Sequence, residues 1–292
     1  MILELKNLYK RYHHRIVLDH IDWQIDAPQT VALVAPNGTG KTTLLNTIAN
    51  LETRDAGSVK IFDLANTDEQ IYQKMTFMQD SSVLFSDMTG KSHLQLIAKS
   101  YHLTLTRVSQ VIDQTGIGNY LDKTVSQYSM GMKQLLLFAM AILPNPKLLL
   151  LDEPLNGLDP KAIVMLRETL QGMGANGTTI LFSSHNLDEI DRLTNHVVFL
   201  HQGKLIPANE DGKRRYTLVM QNAFQTLRTS KWQAAHIELI TDNKVSLEAT
   251  ATEITQMKSE FSTTPTPILD VVMTHQSTEN QYFKLFGKNE IH

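Results

Sequence analysis

The sequence contains no cysteine among its 292 residues. Disulfide bonds and thiolate metal sites are therefore excluded, and the composition fits a reducing compartment. A strong charge of one sign is also missing, because the formal net charge is only −3. This balance gives no general electrostatic reason to bind nucleic acid or an anionic membrane surface. We therefore expect no nucleic-acid partner, and any bound anion must occupy a local site.

Long hydrophobic runs are missing as well. The most apolar region, residues 135–151, is interrupted by Pro-Asn-Pro-Lys at 144–147, whereas a membrane-spanning helix needs about 20 apolar residues. The N-terminus, MILELKNLYKRYHH, alternates apolar and polar residues and lacks the continuous apolar core of a secretory signal. The sequence therefore predicts a chain that neither crosses a membrane nor is exported.

Length and composition are those of a globular protein with two domains. Hydrophobic residues make up 42% of the chain and charged residues 20%, which suffices to bury a full core. A chain of 292 residues is long for one domain and fits a main domain plus a small one. The polar stretch ANEDGKRR after Pro207 marks the boundary, so we predict domains at 1–207 and 212–292.

Apolar runs in the first domain predict an α/β fold. They are VALVA (31–35), KLLLLDE (147–153), TTILFSS (178–184) and HVVFLHQGKLI (196–206), with helical patterns between them. Strands that are apolar on both faces favour a parallel sheet in an α/β layered domain. The opening segments ILELKNLYKRY and IVLDHIDWQID alternate with period two and predict an antiparallel β subdomain. Residues from about 80 to 145 indicate a helical insertion with breaks at Gly116 and Gly118.

The second domain shows a different pattern. RYTLVM, AHIELIT, KVSLEAT and PILDVVMT predict strands, and NAFQTLRTS and TEITQMKSEF predict helices. The resulting order, βαββαβ, is typical of a small ferredoxin-like α+β domain. The final segment, STENQYFKLFG, predicts an amphipathic helix that packs back on the body. A fold of this kind does not by itself name a ligand.

Residues 32–45, ALVAPNGTGKTTLL, predict a phosphate-binding loop between a strand and a helix. The general pattern is G-x-x-x-x-G-K-[ST], and Ala35 replaces its first glycine. Because Ala35 ends the strand, its φ can stay negative and one methyl group can be accommodated. Gly38 and Gly40 let the backbone wrap so that successive N–H groups point inward. Together with the α/β pattern, this loop predicts the core of a P-loop NTPase.

The helix that follows this loop brings further groups to an anion. Its N-terminus carries a partial positive charge, and Lys41 adds a mobile charge for the β- and γ-phosphates. The Thr42 hydroxyl is placed to ligate Mg²⁺. The residues predicted to surround the nucleotide here are Asn37, Gly38, Thr39, Gly40, Lys41, Thr42 and Thr43.

Two further motifs lie downstream. In LLLLDEP, a buried strand delivers Asp152 to the side of the phosphate loop, where it can hold Mg²⁺, and Glu153 can activate a water molecule. In SQYSMGMKQ, Ser129 and Gly131 precede a helix and form a second possible anion site. Taken alone, a Ser-x-Gly before a helix is more often a simple N-cap.

With these motifs in this order, residues 1–206 resemble the ATP-binding subunits of ABC transporters. The resemblance implies that Tyr12 stacks on adenine and that Gln79, in the Q-loop, binds Mg²⁺ and senses the membrane partner. It also matches Asp159 in NGLDP to the D-loop. His185 in SSHNLDEI matches the histidine that contacts the γ-phosphate.

The signature motif departs from the usual Leu-Ser-Gly-Gly-Gln of that family. Tyr128, Met130 and Met132 replace three of its five residues, and Ser129 and Gly131 remain. A Tyr-Ser-x-Gly-Met-Lys-Gln form is familiar among subunits that drive drug, bacteriocin or polymer exporters. The departure therefore indicates an exporter-like subgroup.

The same resemblance implies a mechanism and partners. Two cassettes, in a homodimer or another pairing, close head to tail so that each ATP lies between one phosphate loop and the other signature. Hydrolysis then depends on Lys41, Glu153 and His185, with ATP and Mg²⁺ as cofactors. A separate transmembrane permease subunit docks near Gln79 and the helical insertion. This places the chain in the cytoplasm, peripherally on the inner face of the cell membrane.

Other interpretations stay open at this point. One is a soluble ABC ATPase that acts as a mechanical switch on ribosomes or DNA, although such proteins usually carry paired cassettes or coiled-coil insertions. Another is a nucleotide-gated module that barely hydrolyses, against which Glu153 argues. Alone, Tyr12 is more typical of a core aromatic, and His185 of a surface histidine. The His13-His14 pair has no metal-ligand spacing, so we expect no metal other than Mg²⁺.

Overall fold

The computed structural model describes residues 1–208, 214–228, 232, 237–262, 264–274 and 278–287. The chain divides into two units, one formed by Met1–Ile206 with the described residues after Lys284, the other by Pro207–Lys284. Most of the predicted linker, ANEDGKRR, lies outside the described residues. The predicted domain limits at 207 and 212 stay a prediction.

The first unit contains two β-sheets and several helices. Its strands, in chain order, are β1 (Leu3–Tyr12), β2 (Arg15–Ile25), β3 (Thr30–Val34), β4 (Ala56–Ile61), β5 (Leu64–Ala65), β6 (Met75–Met78), β7 (Leu148–Leu151), β8 (Thr179–Ser183), β9 (His196–His201) and β10 (Lys204–Pro207). Its helices are α1 (Lys41–Ile48), α2 (Gly90–Ser100), α3 (Leu105–Thr115), α4 (Met130–Ile142), α5 (Pro160–Ala175) and α6 (Leu187–Leu193). No helix in the described part of the chain has both the length and the apolar character needed to cross a bilayer.

The central sheet has six strands in the order β10-β9-β3-β8-β7-β6. Strands β9, β3, β8, β7 and β6 pair in parallel. Every residue of β7 and of β8 is buried, as expected for strands covered on both faces. The parallel sheet predicted from the apolar runs is therefore confirmed. Because the strands are parallel, the segments that follow β3, β7 and β8 meet at one edge of the sheet.

The antiparallel subdomain predicted from the N-terminal segments is also confirmed. Its sheet has the order β2-β1-β4-β5, and β1 pairs antiparallel with β2 and with β4. On β2, Ile21 and Ile25 are buried and Trp23 is half-buried, whereas Asp22 and Gln24 are exposed. This alternation follows from the period of two residues along a strand with one covered face.

The helical insertion consists mainly of α2, α3 and α4. Each begins after a hydroxyl-bearing N-cap, namely Thr89, Thr104 and Ser129, whose side chain accepts a backbone N–H bond. Helix α3 ends at Gly116, which adopts the left-handed conformation with φ 64°. The guanidinium of Arg107 on α3 donates to the carbonyl of Ile142 at 2.7 Å, at the end of α4. This bond ties the second helix of the insertion to the third.

The second unit is a four-stranded antiparallel sheet with helices. Its elements are β11 (Arg214–Val219), α7 (Ala223–Arg228), β12 (Ile237–Thr241), β13 (Lys244–Ala249), α8 (Ala251–Phe261) and β14 (Asp270–Thr274), followed by α9 (Thr278–Phe286), whose last two residues count with the first unit. The sheet order is β12-β13-β11-β14, and buried Leu218, Leu247 and Met257 belong to its core. The first two residues of the predicted strand AHIELIT (235–236) and the last two of the predicted helix NAFQTLRTS (229–230) lie outside the described residues. The ferredoxin-like assignment stays a prediction.

Candidate functional site

A cavity of about 360 Å³ opens at the sheet edge where β3 and β7 end. Its lining residues are Tyr12, Arg15, Val17, Asn37, Gly38, Gly40, Lys41, Thr42, Thr43 and Glu153. The structure thus brings together an aromatic side chain, the phosphate loop and a carboxylate from the motif LLLLDEP. These groups come from three parts of the chain that are distant in sequence.

The two glycines of the loop are required for different reasons. Gly38 has φ +74° and Gly40 has φ +115°, values that L side chains rarely adopt. A Cβ at Gly38 would meet nothing within 4 Å, whereas a Cβ at Gly40 would lie 2.4 Å from Val17 Cγ1. Thr39 stabilises the turn because its hydroxyl donates to the Pro36 carbonyl at 2.7 Å. Gly38 therefore depends on backbone freedom, and Gly40 on both backbone freedom and space.

Ala35, which replaces the first glycine of the motif, fits its position. It directly follows β3, is only 1% exposed, and does not adopt a positive φ. Its carbonyl accepts a hydrogen bond from Lys41 Nζ at 2.6 Å. The methyl group is thus packed in the core and leaves the loop free to form.

Glu153 lies between the side chains of Lys41 and His185. Lys41 Nζ is 3.5 Å from Glu153 Oε1, and Lys41 itself is buried. His185 Nδ1 lies 2.9 Å from Glu153 Oε2 on the more exposed side. The predicted catalytic residues Lys41 and His185 therefore each contact the third, Glu153, within a single chain.

Asp152 lies beside this cluster and contacts two hydroxyl groups. Thr42 Oγ1 donates to Asp152 Oδ2 at 2.6 Å, and Ser183 Oγ donates to Asp152 Oδ1 at 2.6 Å. Among the described residues, no group of three or more acidic, histidine or cysteine side chains could hold a metal ion. A carboxylate beside a hydroxyl fits Mg²⁺, which usually keeps waters and phosphate oxygens as its other ligands. Thr42 and Asp152 are thus suitable for the predicted role.

Ser183 and Gln134 also belong to the site, although sequence reasoning did not identify them. The N–H of Glu153 donates to Ser183 Oγ at 2.8 Å, so this hydroxyl bonds to both acidic residues. Gln134 Nε2 donates to the carbonyl of Glu153 at 2.9 Å. Ser183 ends β8 and Gln134 lies on α4, so neither contact has a local sequence signal.

Tyr12 and Arg15 form the rim of the cavity on the side of β1 and β2. Tyr12 is 40% exposed, so it is not a core aromatic, and Lys10 Nζ lies 5.1 Å from the centre of its ring. Burial raises the pKa of Tyr12, and the neighbouring Glu52 side chain raises it further. Arg15, which sequence reasoning also missed, donates to the Gly38 carbonyl at 2.7 Å.

The remaining predicted residues do not line this cavity. Gln79 lines a separate groove. Ser129 accepts from the Met132 N–H at 3.2 Å and caps α4, and Asp159 accepts from the Ala162 N–H at 2.8 Å and caps α5. Ser129 is therefore an N-cap, as a serine in a Ser-x-Gly before a helix usually is. The nucleotide-binding roles of Gln79, Ser129 and Asp159 stay predictions, as does that of Gly131.

The start of α4 packs tightly against the loop that follows β7. A Cβ on Gly131 would lie 2.8 Å from the Gly157 carbonyl oxygen. A Cβ on Gly157, which has φ +74°, would lie 2.8 Å from Met130 Cγ. Met130 nevertheless remains 64% exposed. Met130 therefore covers Gly157 on one side and presents most of its surface to solvent.

Comparison with known proteins gives a consistent result. The family model described as "ABC transporter" matches residues 18–156. The lantibiotic transport ATP-binding protein SrtF of Streptococcus pyogenes is 31% identical over 222 residues, which cover 76% of this chain and 96% of that protein. The bacitracin transport ATP-binding protein BcrA of Bacillus licheniformis is 27% identical over 302 residues, which cover 99% of both chains.

A solved structure has the same fold in the first unit. It is described as the dimeric post-hydrolysis state of an ATP-binding cassette bound to ADP and Pi, and is 22% identical. It aligns with a TM-score of 0.65 over 70% of this chain and 96% of that chain. The phosphate-loop cavity, the parallel sheet behind it and the similarity to SrtF lead to one conclusion: this chain belongs to the ATP-binding subunits of the ABC transporter family.

Proposed function

We propose that this chain is the ATP-hydrolysing subunit of an ABC exporter. The observation that carries the proposal is the position of the Glu153 carboxylate, held 3.5 Å from Lys41 Nζ and 2.9 Å from His185 Nδ1 beside the phosphate loop. A carboxylate in this place can accept a proton from a water molecule that attacks the γ-phosphate. SrtF is named for lantibiotic transport and BcrA for bacitracin transport, and these names support an exported substrate of a similar kind.

The residues around the cavity have separate roles in ATP hydrolysis. The loop N–H groups and the N-terminus of α1 bind the phosphate oxygens, and Lys41 compensates charge on the β- and γ-phosphates. Thr42 and Asp152 would hold Mg²⁺, which when bound neutralises phosphate charge. Glu153 orients and deprotonates the attacking water, and His185 orients Glu153 and contacts the γ-phosphate. Tyr12 stacks on the adenine at the rim.

We propose that two copies of the chain complete each site. Ser129 and Gly131 do not line their own chain's cavity, so in this proposal they bind the nucleotide of the opposite copy. The exposure of Met130 beside them leaves this surface available for such a contact. The dimeric cassette bound to ADP and Pi supports this arrangement. Asp159, at the start of α5, would approach the same interface.

We further propose that a separate transmembrane permease subunit docks in the groove that contains Gln79. This groove has a volume of about 240 Å³ and lies between β6 and the helical insertion. Apolar side chains such as Leu51, Tyr72 and Val83 line it and are exposed to solvent. A helix of the permease could bury these side chains and reach Gln79 at the same time. The chain would then act at the cytoplasmic face of the membrane.

The role of Glu153 is tested by the substitution Glu153→Gln, which keeps the shape and removes the base. We expect kcat for ATP to fall by at least about a hundredfold, the lower range for loss of a general base. Binding of ATP should persist, and the variant should accumulate as an ATP-bound dimer in size-exclusion chromatography. The matched control is Glu168→Gln on the exposed face of α5, which should hydrolyse ATP normally. Equal turnover by wild type and Glu153→Gln would refute the assigned role.

A further inference from the structure

The backbone of Glu153 adopts an unusual conformation. Its φ is +48°, in the left-handed region that residues with a side chain rarely occupy. The following residue is Pro154, and a proline restricts the backbone of the residue before it. Such conformations cost free energy and persist where the surrounding structure imposes them. The groups that impose this one therefore control where the Glu153 carboxylate points.

Hydrogen bonds hold the peptide groups on both sides of Glu153. On one side, its N–H donates to Ser183 Oγ at 2.8 Å. On the other, its carbonyl accepts from Gln134 Nε2 at 2.9 Å and, within its own turn, from the Asn156 N–H at 3.3 Å. Ser183 belongs to the buried central sheet and is fixed by its bond to Asp152. Gln134 differs because it reaches Glu153 from the helical insertion.

We propose that Gln134 is a positioning residue for ATP hydrolysis, which sets the backbone of Glu153 and thereby the direction of its carboxylate. The inference rests on the proposed function and deepens it. Gln134 lies on α4, the helix capped by Ser129, which in the proposed dimer contacts the nucleotide of the opposite copy. A shift of α4 caused by that nucleotide would therefore reach Glu153 through a single hydrogen bond. Gln134 thus links the two composite sites within one chain.

The first test replaces the donor by an apolar side chain of similar size, Gln134→Leu. Loss of one hydrogen bond corresponds to a roughly tenfold fall in kcat. We expect KM for ATP and the affinity for a fluorescent ATP analogue to stay unchanged, because Gln134 does not line the cavity. The matched control is Gln171→Leu, since Gln171 Nε2 also donates to a distant carbonyl, that of Arg192 at 3.1 Å. This control should keep the wild-type kcat.

A second variant separates positioning from packing. In Gln134→Glu the introduced carboxyl can donate to the Glu153 carbonyl only when it is protonated. Its kcat, expressed as a fraction of the wild-type kcat at the same pH, should therefore rise as pH falls. A packing role for Gln134 predicts a flat ratio instead. All measurements use the full-length chain.

The possible results are distinguishable. If wild type hydrolyses ATP, Glu153→Gln does not, and Gln134→Leu keeps the wild-type kcat, the positioning role is overturned and the proposed function stands. A fall in kcat for Gln134→Leu accompanied by equal loss of ATP binding, or a flat pH ratio for Gln134→Glu, also overturns it. Absence of hydrolysis by the wild-type chain overturns the proposed function and this inference together.

Discussion

The hydroxyl of Ser183 offers a sharp test of how the acidic residues are held. It donates to Asp152 Oδ1 at 2.6 Å and accepts from the Glu153 N–H at 2.8 Å, and the residue is fully buried. The substitution Ser183→Ala removes both bonds and adds no atom that could clash. It leaves a buried N–H without its acceptor and a carboxylate with one donor fewer.

The expected magnitude follows from these two bonds. An unsatisfied buried donor costs about 1–3 kcal/mol, and a hydrogen bond to a charged group contributes about 1.5–3 kcal/mol. Because neighbouring effects are not additive, we expect the free energy of unfolding of the first unit to fall by roughly 2–4 kcal/mol. The measurement is a urea titration monitored by circular dichroism. The midpoints of wild type and variant are compared with one shared m-value, the slope of the free energy of unfolding against urea concentration. ATP turnover should fall in the same variant, since Glu153 loses one of its backbone anchors.

The neighbouring residue provides the control. Ser184 is also buried, but its Oγ accepts only the Asn186 N–H at 3.1 Å among the bonds described. We expect Ser184→Ala to cost less than about 1.5 kcal/mol, the net value of one ordinary hydrogen bond. If Ser183→Ala cost no more than Ser184→Ala, the proposed link between β8 and the acidic pair would be wrong.

The remaining predictions concern the phosphate loop and two glycines, Gly131 at the start of α4 and Gly172 on α5. We expect Ala35→Gly to change ATP affinity by less than about tenfold, or ~1.4 kcal/mol, in a titration with an ATP analogue. A larger loss of affinity would contradict this. Lys41→Ala should abolish ATP turnover. We expect Gly131→Ala to lower the free energy of unfolding by about 1–3 kcal/mol, because its Cβ would press on the rigid Gly157 carbonyl. Gly172 lies on α5, where an added Cβ would meet nothing within 4 Å. Gly172→Ala should therefore raise the free energy of unfolding by about 0.5–1 kcal/mol. Equal effects of the two substitutions on thermal unfolding would refute the packing argument.

The sheet and the phosphate loop could be predicted because their signals are local. A run such as the four leucines of β7 is apolar at every position, which fits a short strand that is covered on both faces. Gly38 and Gly40 stand where the backbone must take positive φ, so residue type reports conformation directly. The position of Asp152 and Glu153 after β7 then follows from the geometry of parallel sheets.

The rest of the site could not be predicted because it depends on contacts between distant segments. Ser183 and Asp152 are 31 residues apart, and Gln134 and Glu153 are 19 residues apart. Arg15 reaches the phosphate loop across 23 residues. Serine, glutamine and arginine are common in surface positions, so their type alone says nothing about such bonds. Only the tertiary packing shows which of them meet the acidic pair.

The contact between Met130 and Gly157 limits which parts of this protein are interchangeable. Met130 fills the space beside Gly157 that a Cβ there would need, and Gly131 leaves room for the Gly157 carbonyl. A chimera that took the helical insertion from another cassette but kept residues 155–159 would place foreign side chains against this loop. The insertion and the loop would therefore have to be exchanged together, although 26 residues separate Gly131 from Gly157 along the chain.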